Sequence, residues 1–317
     1  MSSNLLSNPF LVFMIAIGFI IAGWLIVIQL RDRRARQVLP PAAPFDVLNY
    51  SPSKFIEIEG SRIHYIQEGQ GPDLLLVHGI GASIVSWATN FAELKKNFRV
   101  TALDLPGFGR SDKRLDVKYD LDDQTRRLAA FIVELGLHSP FIVAHSMGAA
   151  IAGMMAKKNP RMAKKIIFLA PALNRWLVAI HPSLFAWFIH STKKFIVTRS
   201  LVRWIYTKRV AYRLPPNTEA LIDGYFQPYE KSPELVEIFW RHSHLLRDRR
   251  LPNGLKNFET PSLVLLGDHD RVMPNRYLKK FLQMNPQIEF LIVPNCGHQI
   301  MEEDPRFFLE TVQRFFV

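Results

Sequence analysis

The 317-residue sequence predicts an α/β protein with a mostly parallel, doubly wound sheet, an inserted helical cap and an N-terminal membrane-spanning helix. Three observations lead to this prediction. Short apolar segments alternate with amphipathic segments over most of the chain, one long stretch keeps the helical pattern but has no strands, and an uncharged apolar run lies near the N-terminus. Alternation of this kind is typical of a parallel sheet that helices cover on both faces.

The first feature along the chain is the apolar run at residues 10–30. It contains no charged residue and is long enough to cross a hydrocarbon core of about 30 Å as a helix. A cleaved signal peptide is the alternative, but no Lys or Arg precedes the run and no A-x-A-like site follows it. The basic segment that follows, RDRRAR, predicts by the positive-inside rule that the rest of this single-pass chain lies on the cytoplasmic side. A lumenal or periplasmic domain stays open, because a large folded domain can override a charge bias.

The rest of the chain divides by composition into a connector, a core and a cap. Residues 31–54 are basic and proline-rich, which predicts an extended linker. The core is predicted at 55–170 and 251–317. A helical cap at 171–250 interrupts it after the sixth strand of the sheet.

Strands and helices of the core follow from the apolar pattern in order. A hairpin is predicted at 55–60 and 62–69. Buried strands are predicted at 73–79, 98–104, 141–146, 165–170, 262–267 and 288–293. Helices are predicted at 87–95, 122–135, 147–158, 275–284 and 305–316.

The formal net charge of +12 admits two kinds of partner. No basic helix with base-reading side chains, no zinc finger and no aromatic-interleaved sheet motif is present, so nucleic acid is not predicted as a partner. Anionic lipid headgroups explain the charge more simply. The single cysteine, Cys296, excludes an intramolecular disulfide and a cysteine-based zinc site. His242 and His244 lack a third ligand, and no metal or cofactor is predicted.

The most informative segment is FIVAHSMGAAIAG at 141–153. An apolar strand, then Ser146, then a helix of small residues is the pattern of a nucleophile elbow. Small residues are needed there because the nucleophile's backbone is strained and bulky neighbours would clash. His145 is expected to point away from the site and to be a packed, hydrogen-bonded histidine. Ser146 is therefore the predicted nucleophile.

A serine hydroxyl is a weak nucleophile and needs a base that a third group orients. His298, in PNCGHQIMEEDP, follows the last predicted strand, and Asp270, in LLGDHDRVMP, follows the preceding one. Asp268 is the alternative acid, but the G-x-x-D spacing favours Asp270. Since catalytic groups of parallel sheets collect at the carboxyl ends of strands, Ser146, Asp270 and His298 are expected to meet.

The segment HGIGAS follows a buried strand with a flexible, glycine-bearing loop. Such a loop can present a backbone N–H to a developing oxyanion, and we expect the N–H groups of Ile80 and Met147 to form the oxyanion hole. His78, Gly79 and Gly148 are expected to support it.

Together these motifs resemble the α/β-hydrolase superfamily over about residues 55–317. The segments HG-x-G, D-x-P-G-x-G-x-S, x-H-S-M-G, G-x-x-D-x-x-x-P and G-H occur in family order. The anchor with AHSMG and NCGHQIMEEDP is similar to membrane-anchored monoacylglycerol lipases and bacterial lipases and esterases. Ala144 and Ala149 stand where the family often has glycine, and both are small enough to leave the turn intact. The resemblance implies a serine hydrolase that forms an acyl-enzyme without a cofactor.

The predicted cap indicates the substrate. It contains four tryptophans, Trp176, Trp187, Trp204 and Trp240, interspersed with Phe, Lys and Arg. This composition suits a membrane interface, or a solvated basic face over an apolar pocket. In either case we expect an acyl ester, such as a monoacylglycerol or lysolipid. A carbon–carbon bond hydrolase and a non-catalytic membrane scaffold are the alternatives.

Overall fold

The computed structural model describes four ranges of the chain, 52–172, 197–251, 257–273 and 288–317. The predicted anchor at 10–30, nearly all of the connector at 31–54, the first part of the cap and the predicted helix at 275–284 lie outside these ranges. Within the four ranges, no helix is both long enough and apolar enough to cross a membrane.

Eight strands form one sheet in the order β1-β2-β4-β3-β5-β6-β7-β8. Their bounds are β1 Lys54–Ile58, β2 Ser61–Glu68, β3 Asp73–Val77, β4 Arg99–Leu103, β5 Phe141–His145, β6 Lys165–Leu169, β7 Ser262–Gly267 and β8 Glu289–Val293. Strand β2 pairs antiparallel with β1 and β4, and the other neighbours are parallel. The predicted mostly parallel sheet is confirmed, and each predicted strand coincides with an observed one.

The central strands are apolar along their whole length because both of their faces are buried. In β3, Leu75 and Val77 pack into one core cluster, while Leu74 and Leu76 pack into the other. Successive side chains of a strand point to opposite faces, so a strand covered on both sides needs apolar residues at every position.

Helices cover both faces of the sheet. They are α1 Ala88–Leu94, α2 Leu121–Glu134, α3 Met147–Lys158, α7 Ile300–Glu303 and α8 Pro305–Phe316, with 3₁₀ turns at Ile84–Trp87 and Pro160–Met162. The side chain of Asp120 caps α2 by accepting a 2.9 Å hydrogen bond from the Asp123 N–H. Helices α2 and α3 pack on one face, and α1 and α8 pack on the other.

The described part of the cap, residues 197–250, lies between β6 and β7 and is helical throughout its regular elements. It comprises α4 Arg199–Ile205, a π-helical turn Tyr206–Val210, α5 Thr218–Lys231 and α6 Glu234–Leu245. Arg199 joins α4 to α5 through ion pairs with Glu219 and Asp223.

The strand order places a crevice at one position in the sheet. Strand β3 has β4 on one side and β5 on the other, so the chain reverses its direction of winding there. Ligands of open parallel sheets bind outside the carboxyl ends of strands at such a switch point. The segments after β3 and β5, which contain HGIGAS and Ser146, both lie at this crevice.

Candidate active site

Ser146 occupies a strained turn between β5 and α3. Its backbone has φ 50° and ψ −113°, a region that residues other than glycine rarely adopt. Its N–H donates to the Leu169 carbonyl at 2.9 Å, and its carbonyl accepts from the Ala172 N–H at 3.0 Å. The end of β6 and the residues after it therefore fix the turn, as a nucleophile elbow requires.

Two glycines allow the close packing around this turn. A Cβ added to Gly148 would lie 2.8 Å from the Val77 carbonyl oxygen and still nearer to that of His78. A Cβ on Gly79 would lie 2.9 Å from Nδ1 of His145. Because neither position has room for a side chain, the N-terminus of α3 packs directly against the end of β3.

Asp270 and His298 form a buried hydrogen-bonded pair. Nδ1 of His298 lies 2.8 Å from Oδ2 of Asp270, and the other carboxylate oxygen accepts from the N–H groups of Val272 and Met273 at 2.8 and 2.7 Å. In this bond Nδ1 of His298 carries the proton and donates it to the Asp270 carboxylate. Nε2 is therefore the nitrogen that can take up or release a proton.

Of the two candidate acids, only Asp270 contacts His298 within the described residues. Asp268 instead accepts a 3.1 Å bond from the Cys296 N–H and contacts the ring of His269 at 2.6 Å. Its carboxylate therefore joins the loop after β7 to the loop after β8.

Ser146 and His298 open into the same cavity beneath the cap, with a volume of about 390 Å³. Its walls are mostly aliphatic and aromatic. They include Ile80, Ala82, Leu201, Val202, Ile205, Tyr206, Val210, Tyr225, Tyr229, Val236, Phe239 and Val272. An apolar cavity that ends at a serine and a histidine is suited to an apolar group attached to a reactive carbonyl.

The predicted oxyanion residues flank the serine. Ile80 lines the cavity, and Met147 is the first residue of α3, where a helix leaves its N–H groups without partners inside the helix. His78 braces this loop, because its Nδ1 donates to the Gly79 carbonyl at 2.7 Å and its Nε2 accepts from the Leu105 N–H at 2.9 Å. Burial lowers the pKa of His78 despite the opposing charge of Asp104, so the ring remains neutral.

His145 is packed and hydrogen-bonded as expected, but the expectation that it points away from the site is wrong. It lines the cavity with Ser146, its ring centroid lies 4.7 Å from that of His298, and its Nε2 donates to the His298 carbonyl at 3.0 Å. Burial, with the nearby charge of His298, holds the pKa of His145 well below its ordinary value. Neutral His145 therefore supports the backbone of the loop at 294–299, which carries His298 and which we call the histidine loop.

Two glutamates that the sequence did not single out join the cap to the histidine loop. The Glu303 carboxylate accepts from the N–H groups of Gly297 and Gln299, on either side of His298, at 2.8 and 3.1 Å. It also accepts from the Tyr212 and Arg213 N–H groups of the cap, both at 2.9 Å. The neighbouring Glu302 binds two cap tyrosines. The one signal that the sequence offered for these two residues was their position, four and five residues after His298.

His242 and Cys296 have structural surroundings. His242 lies between the rings of Phe108 and Tyr119 and donates from Nδ1 to the Ile238 carbonyl at 2.9 Å. Burial lowers the pKa of His242 to about 3 and raises the pKa of the Cys296 thiol. Across the described ranges, no three His, Cys, Asp or Glu side chains are grouped so that they could hold a metal ion.

Comparison with known proteins relates this chain to hydrolases. A family model described as alpha/beta hydrolase fold matches residues 72–305. The uncharacterized hydrolase YugF of Bacillus subtilis is 25% identical over 280 residues, covering 84% of this chain and 98% of that protein. The 2-hydroxy-6-oxo-6-(2'-aminophenyl)hexa-2,4-dienoic acid hydrolase of Metapseudomonas resinovorans is 25% identical over 278 residues, covering 83% and 90%. The crystal structure of a membrane phospholipase A, a bacterial virulence factor, shares the fold, with a TM-score of 0.70, 24% identity and coverage of 96% and 97%.

Proposed function

The chain belongs to the alpha/beta hydrolase fold family, and from this membership we propose that it is a serine hydrolase that cleaves carboxylic esters of acyl chains. One observation carries the proposal: a strained serine and a histidine held by a buried aspartate open into one apolar cavity of about 390 Å³. A strained nucleophile, an oriented base and an apolar pocket are the parts that acyl transfer to serine requires.

In the proposed mechanism, the Oγ of Ser146 attacks the ester carbonyl while Nε2 of His298 takes the hydroxyl proton. Asp270 holds the Nδ1 proton and stabilises the imidazolium. The N–H groups of Ile80 and Met147 stabilise the oxyanion. His298 then protonates the departing alkoxide, and a water activated by the same histidine releases the acyl group from Ser146.

The apolar walls support a substrate with a single acyl chain, such as a monoacylglycerol or a lysolipid. Burying one methylene group is worth about 0.8 kcal/mol, so each added methylene that fits the cavity is expected to raise kcat/KM up to about fourfold. A glycerol or phosphoglycerol headgroup would remain toward the cavity mouth.

The exposed face of the cap supports a position at a membrane. Trp204, Ile205 and Leu214 are 54, 41 and 50% exposed, and Arg203 and Lys208 lie exposed among them. Apolar and basic side chains together suit the boundary of an anionic bilayer. We therefore include in the proposal the single-pass anchor at 10–30 and a cytoplasmic catalytic domain whose cap faces the membrane.

Hydrolysis of a carbon–carbon bond beside a carbonyl is the second candidate, and the relative from Metapseudomonas resinovorans favours it. The same serine, histidine and aspartate could perform either reaction. Arg209 lines the cavity and could bind the carboxylate of a dienoic acid. A carboxylated dienone that the enzyme hydrolyses faster than any ester would reverse the order of the two candidates.

The proposal is tested with p-nitrophenyl esters from acetate to palmitate on the detergent-solubilised full chain. Ser146→Ala should abolish turnover. Ser139→Gly is the matched control, because Ser139 is exposed and its φ of 49° suits glycine. Serine-dependent turnover that peaks at medium or long chains supports the proposal, and turnover confined to acetate contradicts the lipid-like substrate. Turnover that survives in Ser146→Ala, or none in the wild type, contradicts the serine hydrolase itself.

A further inference from the structure

Glu302 is a buried carboxyl at the junction of cap and core that the proposed mechanism does not use. It lies on α7, four residues after His298, and is 1% exposed. Its Oε2 accepts a 2.6 Å hydrogen bond from the hydroxyl of Tyr206, and its Oε1 contacts the hydroxyl of Tyr225. The Tyr225 hydroxyl also lies 3.0 Å from the Oγ of Ser86. We call these four residues the Glu302 cluster.

The two tyrosines come from different parts of the cap, and both line the cavity. Tyr206 begins the π-helical turn, whereas Tyr225 lies on α5. One carboxyl of the core therefore holds two walls of the pocket. A change at Glu302 would move cavity walls without touching Ser146 or His298.

The protonation state of Glu302 determines whether every hydrogen in the cluster has an acceptor. The cluster contains three contacts, and the ionised form has three hydroxyl hydrogens to fill them. Tyr206 and Tyr225 then both donate to the carboxylate, and Ser86 donates to Tyr225. The neutral form adds a fourth hydrogen, so one tyrosine must accept from Glu302 and redirect its own hydrogen.

The raised pKa of Glu302 brings the gain or loss of its proton close to neutral pH. Burial, with a smaller contribution from the charge of Glu303, raises the pKa of Glu302 to about 7, while the two tyrosine hydroxyls oppose the rise. Burial raises the pKa values of Tyr206 and Tyr225 as well, so both hydroxyls remain protonated throughout the neutral range. Among the described residues, the titratable groups that act on the pKa of Glu302 are the two cap tyrosines and, on its own helix, Glu303.

We propose that Glu302 is a positioning residue that shapes the acyl pocket through Tyr206 and Tyr225, and that its ionised form favours long chains over short ones. This inference rests on the proposed function for the class of substrate. The pocket walls are set when both tyrosines donate to the carboxylate. A proton on Glu302 reverses one of these bonds, so that either Tyr206 loses the acceptor for its hydrogen or Tyr225 must donate to Ser86 instead. Selectivity for a long chain therefore rises as the pH rises through 7.

The test measures binding of two uncharged, non-hydrolysable ligands, 1-O-dodecylglycerol and 1-O-butylglycerol, to the full chain between pH 5.5 and 8.5. In the wild type, the ratio of the butyl to the dodecyl Kd should rise between about 2- and 12-fold with pH, the range that one hydrogen bond of ordinary strength represents. Binding does not depend on the serine chemistry. If the wild type shows no turnover that depends on Ser146, the proposed function is refuted. The Kd ratio would still decide the role of Glu302.

The variants separate positioning from a general effect on folding. Glu302→Gln keeps one acceptor oxygen, replaces the other oxygen with an NH₂ donor group and does not titrate, so its Kd ratio should be independent of pH. Tyr206→Phe removes one contact of the cluster and Tyr225→Phe removes two, and each variant should lower the ratio at pH 8. Glu219→Gln is the control, because Glu219 also binds two cap side chains, Arg199 and Arg203, at a site away from the cavity. It should preserve the wild-type pH profile.

The preference for the long chain is then measured in turnover, as the ratio of kcat/KM for the laurate p-nitrophenyl ester to that for the butyrate ester. The ester with the short chain corrects for any effect of pH on the catalytic groups, and a positioning effect should appear mainly in KM for laurate. A ratio that does not change with pH in the wild type overturns the proposal. A rise that persists in Glu302→Gln overturns it as well.

Discussion

Glu303→Gln tests whether the cap and the histidine loop act as one unit. Oε2 of Glu303 accepts from three backbone N–H groups, those of Tyr212, Arg213 and Gly297. Oε1 accepts from the N–H of Gln299. A glutamine oxygen can replace only one of these two acceptors, so the amide NH₂ must face an N–H donor.

The structure sets the size of the expected effect. With the amide oxygen in the place of Oε2, three bonds persist without the negative charge and the Gln299 N–H loses its acceptor. A buried donor without a partner costs about 1–3 kcal/mol, and bonds to a neutral acceptor are weaker than those to a charged one. We expect the free energy of unfolding to fall by about 2–4 kcal/mol. Small displacements of a catalytic group can cost about 100-fold in rate, so kcat should fall by about 10- to 100-fold.

The assay combines chemical denaturation with steady-state kinetics on a short p-nitrophenyl ester. Since the cavity walls do not include Tyr212 or Arg213, KM should change less than kcat. Glu237→Gln is the matched control, because it removes a cap carboxylate whose partner is the side chain of Arg241. A folded Glu303→Gln enzyme with kcat within about threefold of the wild type would refute the reasoning, since the loop would then be held without this carboxylate.

Three further predictions follow from the site. Asp270→Asn should lower kcat by about 10⁴-fold while Asp268→Asn lowers it by less than about 10-fold, and equal losses in steady-state assays would contradict the assigned acid. Gly148→Ala should lower the melting temperature, because its Cβ would meet the His78 carbonyl, and an unchanged Tm would contradict that packing. The pKa of Glu302 is raised from 4.5 to about 7 in the folded protein, which therefore binds this proton more tightly than the unfolded chain. The free energy of unfolding, relative to Glu302→Gln, should fall by up to about 3 kcal/mol as the pH rises from 4.5 to 7, and denaturation at several pH values that shows no fall would contradict the raised pKa.

Features that depend on a short stretch of sequence could be predicted. The central strands are apolar at every position because both faces are covered, and turn residues bound each of them. The elbow around Ser146 is encoded within a few residues, since the strand, the strained turn and the small residues of α3 are contiguous. Strands and elbow were therefore visible without any knowledge of distant contacts.

Features that depend on contacts between distant parts of the chain could not be predicted in the same way. The G-x-x-D spacing favoured Asp270 over Asp268, but the hydrogen bond between Asp270 and His298 joins two loops 28 residues apart and is seen only in the fold. Glu302 and Glu303 have the composition of an exposed acidic run, yet both are buried against cap residues 77 to 96 positions away. Their burial depends on how the cap returns to the core, and no local pattern records it.

The cap segment at 206–213 contacts both the apolar cavity and the backbone of His298. Tyr206 and Val210 line the cavity, and the Val210 carbonyl accepts a 2.9 Å bond from the N–H of His298. The same segment also contacts the loop after β7 that carries Asp270. There the ring of Tyr212 stacks on that of His269, with 3.8 Å between the ring centroids. A displacement of this segment would therefore change the pocket wall and the backbone contact of His298 together. This shared support explains why two buried carboxylates lie here, since one fixes the wall and the other fixes the loop.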